Sequence, residues 1–155
     1  MRNLPFRWSL SSILIALSGI LLVGVGFYFL FLRPPLLPED IRFMSLTPSE
    51  LQLVGSRLAS WLPYVFRVMG GYIAATGVLA FTLALTAIRD RRTAAAIGVA
   101  IAGGLSIGWM AAVNFMIHSD FKWVLLGMAL VWAAAIVAYA RESVLLVEDD
   151  SRAVA

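Results

Sequence analysis

The chain has 155 residues, of which 61% are hydrophobic and 14% are charged, against roughly 25% charged in an ordinary globular domain. A soluble domain of this size could not bury so much apolar surface, because small domains bury only about two-thirds of what they expose when unfolded. The absence of cysteine excludes disulfides and thiolate metal ligands, and the scattered net charge of +3 argues against nucleic acid as a partner.

Four apolar stretches predict transmembrane helices, because about 20 apolar helical residues cross about 30 Å of hydrocarbon. The predicted spans cover residues 10–32, 65–88, 93–117 and 123–140. The first is too long and too aromatic at its end to be a cleaved signal peptide, so we interpret it as a retained helix. The predicted fold is an all-α four-transmembrane-helix bundle that forms a single membrane domain.

The segment 33–63, between the first two spans, is predicted to lie outside the membrane. It opens with three prolines, which favour an extended exit from the first span. Further on, Thr47 is followed by a proline and by Glu50, the pattern of an N-cap with a capping box. We predict an amphipathic helix over residues 48–62, lying flat on the membrane with Trp61 at headgroup depth. The alternative is that its apolar face packs on the bundle or on another subunit.

Basic residues at the helix ends predict the orientation of the bundle. With the N-terminus in the cytoplasm, seven basic residues, including Arg2 and Arg7, lie on the cytoplasmic side and five on the outer side. The turn at residues 89–92 carries three arginines and favours the same orientation. Both termini are then cytoplasmic, with a tail over residues 141–155 predicted to be disordered past Val147. The abundance of arginine and alanine indicates a bacterial source, and hence the bacterial inner membrane.

Small residues at helical spacing predict where the helices pack closely, because helices in lipid associate through close backbone approach. The third span carries a series of small residues at a spacing of four: Ala94, Gly98, Ala102 and Ser106. The second span carries Gly70 and Gly71. We interpret these positions as packing within one bundle, and the alternative is a face for oligomerisation or docking. The third span carries only eight Leu, Ile, Val or Phe residues against fifteen in the first, which predicts a central, protein-facing position.

The run Arg67-Val68-Met69-Gly70-Gly71, with Gly77 about two helical turns further on, resembles a glycine pattern of small four-helix bacterial membrane proteins of unknown function, including DoxX-like ones. The resemblance covers the second to fourth spans and leaves out the outer segment. Since those families have no defined activity, the resemblance implies a fold and no site residues.

No ionisable residue lies in the central part of any predicted span, which argues against ion transport and against catalysis within the bilayer. The candidate contacts for a lipid or a partner lie near the outer boundary instead: Arg67, His118, Asp120, Asn114 and Trp61.

Each of these candidates has a structural alternative. Arg67 can hold a phosphate or carboxylate, or it can snorkel or pair with an acidic residue of the outer segment. His118 and Asp120 have too few companions for a metal site, so we interpret them as solvated loop residues. Asn114 is predicted to form a hydrogen bond to a neighbouring helix.

Three hypotheses about function follow from these features. The first, which we predict, is a non-catalytic accessory or stabilising subunit without a cofactor, in contact with membrane lipids and with a larger membrane complex or a second copy. The second is a carrier or binder of an apolar ligand, a lipid or quinone, acting as an oligomer because four helices enclose little volume. The third is an enzyme at the outer interface that uses Arg67, His118 and Asp120.

Overall fold

The structure is a computed structural model that describes residues 9–154, so Arg2 and Arg7 of the predicted orientation lie outside the described residues. The described residues form six α-helices and two π-helical turns, with no strand among them. The helices are α1 (Leu10–Phe27), α2 (Pro38–Met44), α3 (Pro48–Leu85), α4 (Thr93–Gly103), α5 (Trp109–Met116) and α6 (Lys122–Val154). The π-helical turns Tyr28–Leu32 and Gly104–Gly108 extend α1 and join α4 to α5.

Four helical segments are long and apolar enough to cross a membrane: Leu10–Leu32, Gly55–Leu85, Thr93–Met116 and Lys122–Leu146. The predicted all-α architecture with four helices of spanning length is therefore confirmed. We call α4, its π-helical turn and α5 together the third span. The bundle has a proline end, which holds residues 33–38 and the loop 117–121, and an arginine-turn end, which holds residues 89–92.

The second predicted span and the predicted surface helix are one helix in the structure. α3 runs unbroken for 38 residues, with Pro63 inside it. At about 1.5 Å per residue it is about 57 Å long, nearly twice the thickness of the hydrocarbon core. The prediction of a separate helix ending at residue 62 is wrong, because a single proline removes one backbone donor and the flanking turns keep their own hydrogen bonds.

The predicted start of α3 is confirmed by its hydrogen bonds. Thr47 Oγ1 accepts a hydrogen bond from the N–H of Glu50, and the Glu50 carboxylate accepts one from the Thr47 N–H at 2.9 Å. The Thr47 hydroxyl also donates to this carboxylate at 2.6 Å, and these bonds lower the pKa of Glu50 from its ordinary value. The stability that the capping box contributes is therefore fully present above the ordinary pKa of glutamate. It is lost as the pH falls through the lowered pKa of Glu50.

The tail predicted to be disordered is helical in the structure. α6 continues through Arg141 and past Val147 as far as Val154. No glycine or proline follows Gly127 in the chain, so the sequence contains no residue that strongly favours ending the helix.

α1 and α3 approach each other so closely that glycine is required on both helices. A Cβ placed on Gly70 would lie 2.7 Å from the carbonyl oxygen of Gly26, and one on Gly77 would lie 2.6 Å from that of Gly19. A Cβ on Gly26 would lie 2.6 Å from the backbone nitrogen of Ala74. These five residues form a seam, which we call the glycine seam, along which the two backbones are in contact.

The third span lies at the edge of the bundle and not at its centre. It packs mainly on α6 and meets α3 only weakly, whereas α1 packs on both α3 and α6. The indole of Trp132 on α6 occupies the space beside Gly103. Ala94 and Gly98 of the small-residue series are exposed, while Ala102 and Ser106 are half-buried. The prediction of a central third span is therefore wrong, because low apolarity does not determine which helix has two neighbours.

A carboxylate ties three parts of the chain together at the arginine-turn end. Glu142 of α6 accepts hydrogen bonds from the Ser11 hydroxyl at 2.6 Å and the Ser11 N–H at 3.3 Å. Arg91 reaches the same carboxylate at 2.8 Å and lies 5.3 Å from the centre of the Tyr139 ring. The start of α1, the turn before the third span and the end of the fourth span are thus fixed to one another.

The glycine seam predicts opposite effects for two adjacent glycines of α3. Gly70→Ala is expected to lower the free energy of unfolding by about 1–3 kcal/mol, because the added methyl group collides with the backbone of α1. Gly71→Ala is the matched control, since a Cβ there meets nothing within 4 Å. Denaturant unfolding in detergent micelles measures both, and equal losses for the two variants would contradict the seam.

Candidate functional site

A cleft of about 880 Å³ opens between the third span and the pair formed by α1 and α3, toward the proline end. It exists because the third span packs on α6 and leaves the facing side of α1 uncovered. The volume falls within the range of roughly 300–1,000 Å³ that is typical of ligand sites. The cleft is lined by residues of α1, α3, the third span and α6, which lie within residues 20–29, 66–73, 105–117 and 124–128.

The walls of the cleft are almost entirely apolar. Its length along the bundle follows the wall that α1 provides. From Ile20 to Phe29, α1 and its π-helical turn form a wall roughly 14 Å long at 1.5 Å per residue, which is about half the hydrocarbon thickness. Met69, Trp109 and Met128 contribute to the other three walls. The cleft thus suits an elongated apolar molecule better than a polar one.

The mouth of the cleft, at the proline end, is built around a shielded ion pair. Arg33 and Asp40 pair at 3.1 Å, with side chains only 11% and 19% exposed. The guanidinium carbon of Arg33 also lies 3.5 Å from the centre of the Phe66 ring, a cation–π contact with α3. Asp40 accepts a second hydrogen bond from the Leu37 N–H at 2.9 Å. These contacts hold the segment before α2 against the α3 wall.

A second carboxylate, Glu39, lies at the mouth and is 3% exposed. The hydroxyl of Ser119, itself 2% exposed, donates a hydrogen bond to it at 3.4 Å. Ser119 in turn accepts from the N–H of Phe121 at 3.2 Å. Glu39 therefore connects α2 to the loop before α6, and both Glu39 and Ser119 line the cleft.

The short helix α2 places these acids, and its sequence explains how. Pro38 occupies the first turn, and the carboxylate of Asp40 accepts from the N–H of Leu37, the residue before the helix. Ser45 ends the helix in the left-handed conformation with φ 54°. The motifs of the sequence predict no site role for Arg33, Glu39, Asp40 or Ser119. The signal that could have found α2 is a proline followed two residues later by an acid, the same pattern that marks the start of α3.

Of the predicted contact residues, Asn114 is the one that lines the cleft. Its amide donates to the carbonyl of Met110 on the same helix at 2.8 Å. The predicted hydrogen bond to a neighbouring helix is therefore not formed, because an asparagine on a helix can reach the carbonyl four residues earlier without a partner.

The remaining predicted residues lie on the surface of the described chain. His118 and Asp120 are exposed and both meet Arg42, through the His118 carbonyl at 3.2 Å and the Asp120 carboxylate at 3.1 Å. Trp61 is 59% exposed on α3. Arg67 is exposed, with its guanidinium 5.6 Å from the centre of the Tyr64 ring.

The alternative in which Arg67 pairs with an outer acid is not observed, and Glu39, one of the candidate acids, accepts from Ser119 instead. Asp40 pairs with Arg33, Asp120 pairs with Arg42, and Glu50 is bound by Thr47. Among the packing candidates, Gly70 lies in the glycine seam, whereas Gly71 faces open space.

No protein-family model, no curated protein and no solved structure matches the chain. The resemblance to DoxX-like proteins therefore stays a prediction, and function has to be inferred from the cleft and its mouth.

The two ion pairs at the proline end differ in burial, which predicts different losses of unfolding free energy when their carboxylates are removed. Asp40→Ala is expected to lower the free energy of unfolding by about 3 kcal/mol, because it leaves the shielded Arg33 without its carboxylate. Asp120→Ala breaks a pair whose side chains are 57% and 67% exposed, so its cost should stay below about 1 kcal/mol. Unfolding in detergent measures both, and a larger loss for Asp120→Ala would contradict the assigned burial.

Proposed function

We propose that this chain is a multi-pass membrane protein that binds an apolar, lipid-like ligand in the cleft. The observation that supports this best is the cleft itself: about 880 Å³ of apolar space with all its charged lining residues gathered at one end. Such a site suits an amphiphile whose chain lies along α1 and whose small polar head reaches the mouth. The ligand belongs to the class of lipids and quinones.

The proposed orientation places the arginine-turn end in the cytoplasm and the proline end outside a bacterial inner membrane, with both termini cytoplasmic. The cleft then opens in the outer half of the bilayer, where a lipid of the outer leaflet can enter it sideways. α3 is longer than the hydrocarbon is thick, so its first turns and α2 lie at the outer interface.

Binding in this proposal does not require a dimer, because one chain forms the whole cleft. It is also non-catalytic. His118 and Asp120 both contact Arg42. Arg67 contacts the ring of Tyr64 instead, and none of the three lines the cleft. Two of the three residues of the enzyme hypothesis therefore lie together outside the cleft, and Arg67 makes its contact elsewhere.

The accessory-subunit hypothesis stays a prediction, and one observation favours it. Ala94 and Gly98 lie exposed on the third span, and a Cβ on Gly98 meets nothing within 4 Å. Helices in lipid associate through small residues of this kind. Purification from native membranes in mild detergent tests it: a co-purifying membrane protein supports the hypothesis, and a monodisperse chain alone counts against it.

Filling the cleft predicts loss of the ligand. Val113 lines the cleft on α5, so the bulky side chain of Val113→Trp should reduce the fraction of chains that retain an apolar molecule at least about tenfold, a loss of about 1.4 kcal/mol. Native mass spectrometry of protein released from lipid nanodiscs measures that fraction. Val137→Trp is the matched control, because Val137 on α6 is 51% exposed and lies outside the cleft. A wild-type chain that retains nothing, or equal occupancy in both variants, would contradict the proposed function.

A further inference from the structure

The charged groups that line the cleft are one arginine and two carboxylates, all at the mouth: Arg33, Glu39 and Asp40. Arg33 is already engaged, with Asp40 at 3.1 Å and the face of Phe66 at 3.5 Å from its guanidinium carbon. Its positive charge is therefore compensated within the protein. A ligand with an anionic head would meet this neutralised pair together with the second carboxylate.

Glu39 is the polar group of the mouth with the most unused bonding capacity. Its carboxylate has two oxygens and about four lone-pair sites. The hydrogen bond from Ser119, at 3.4 Å, is long for a hydroxyl donor, whose usual distance to oxygen is about 2.7–2.8 Å. A carboxylate that is 3% exposed gains greatly from a further donor, because a buried charge without hydrogen bonds is costly.

We propose that the cleft selects an amphiphile whose head donates hydrogen bonds, a hydroxyl or an ammonium group, and that Glu39 is the residue that recognises this head. This inference rests on the proposed function and adds the chemistry of the ligand to it. A single-chain alcohol or amine places its head at Glu39 while its chain lies along the apolar walls. An amphiphile with a carboxylate head binds more weakly, because like charges repel where little water screens them.

Three photoreactive probes test this selectivity in the intact chain in phosphatidylcholine nanodiscs. They share one saturated chain with a diazirine near its end and differ only in the head: alcohol, primary amine or carboxylate. Peptide mass spectrometry after irradiation measures labelling of cleft residues such as Met69 and Trp109. The alcohol and the amine are expected to label the cleft about tenfold more than the carboxylate, which corresponds to about 1.4 kcal/mol.

Two substitutions separate a hydroxyl ligand from an ammonium ligand. Glu39→Gln keeps an acceptor oxygen and removes the charge, so it should preserve labelling by the alcohol and reduce labelling by the amine about tenfold, a loss of about 1.4 kcal/mol. Glu39→Leu removes both properties and should reduce labelling by both probes. Asp120→Asn is the matched control, because Asp120 is an exposed carboxylate outside the cleft, and it should leave all three labelling levels unchanged.

The outcomes distinguish this inference from the function on which it rests. If no probe labels the cleft, the proposed function fails, and the inference with it. If all three probes label the cleft equally, the cleft binds amphiphiles and only the selectivity is overturned. The comparison of heads on the wild-type chain needs no variant, so it decides the question even if Glu39→Leu does not fold.

Discussion

The contact between α1 and α3 at the glycine seam is the constraint on which the rest of the structure depends. Because both helices have glycine where they cross, their backbones are in contact and α3 covers one side of α1. α6 covers another side of α1, so the third span has α6 as its main neighbour. An apolar helix held at the edge in this way leaves space between itself and α1, and that space is the cleft.

Within residues 9–154, the charged side chains are concentrated at the two ends of the bundle and serve different purposes there. At the arginine-turn end, Glu142 is satisfied by Ser11 and Arg91 and joins three segments, which is a structural role. At the proline end, Arg33 and Asp40 satisfy each other, but Glu39 has one long hydrogen bond and borders the cleft. The difference in hydrogen bonding between these two glutamates is what separates a structural carboxylate from a candidate recognition group.

The sequence predicts the helices of spanning length well and their arrangement poorly. Length and apolarity predict all four helices, and local hydrogen-bonding chemistry predicts the cap formed by Thr47 and Glu50. The continuity of α3 through Pro63 could not be predicted in the same way, because one proline is compatible with either a helix end or an interrupted hydrogen bond. Small residues reveal that a helix face allows close approach but not which helix lies against it. The mouth depends on residues 33–40 meeting Phe66 and Ser119, contacts that span up to 80 residues of sequence.

The most direct test of the central claim is the distance across the cleft in a lipid bilayer. The natural chain has no cysteine, so spin labels at Met69→Cys on α3 and Trp109→Cys on α5 report this distance alone. Pulsed electron spin resonance in nanodiscs should give one narrow distribution that matches the open cleft. A shorter distance between the labels, as expected when the third span packs against α1 and α3 with helix axes roughly 8–10 Å apart, would contradict the presence of the cleft.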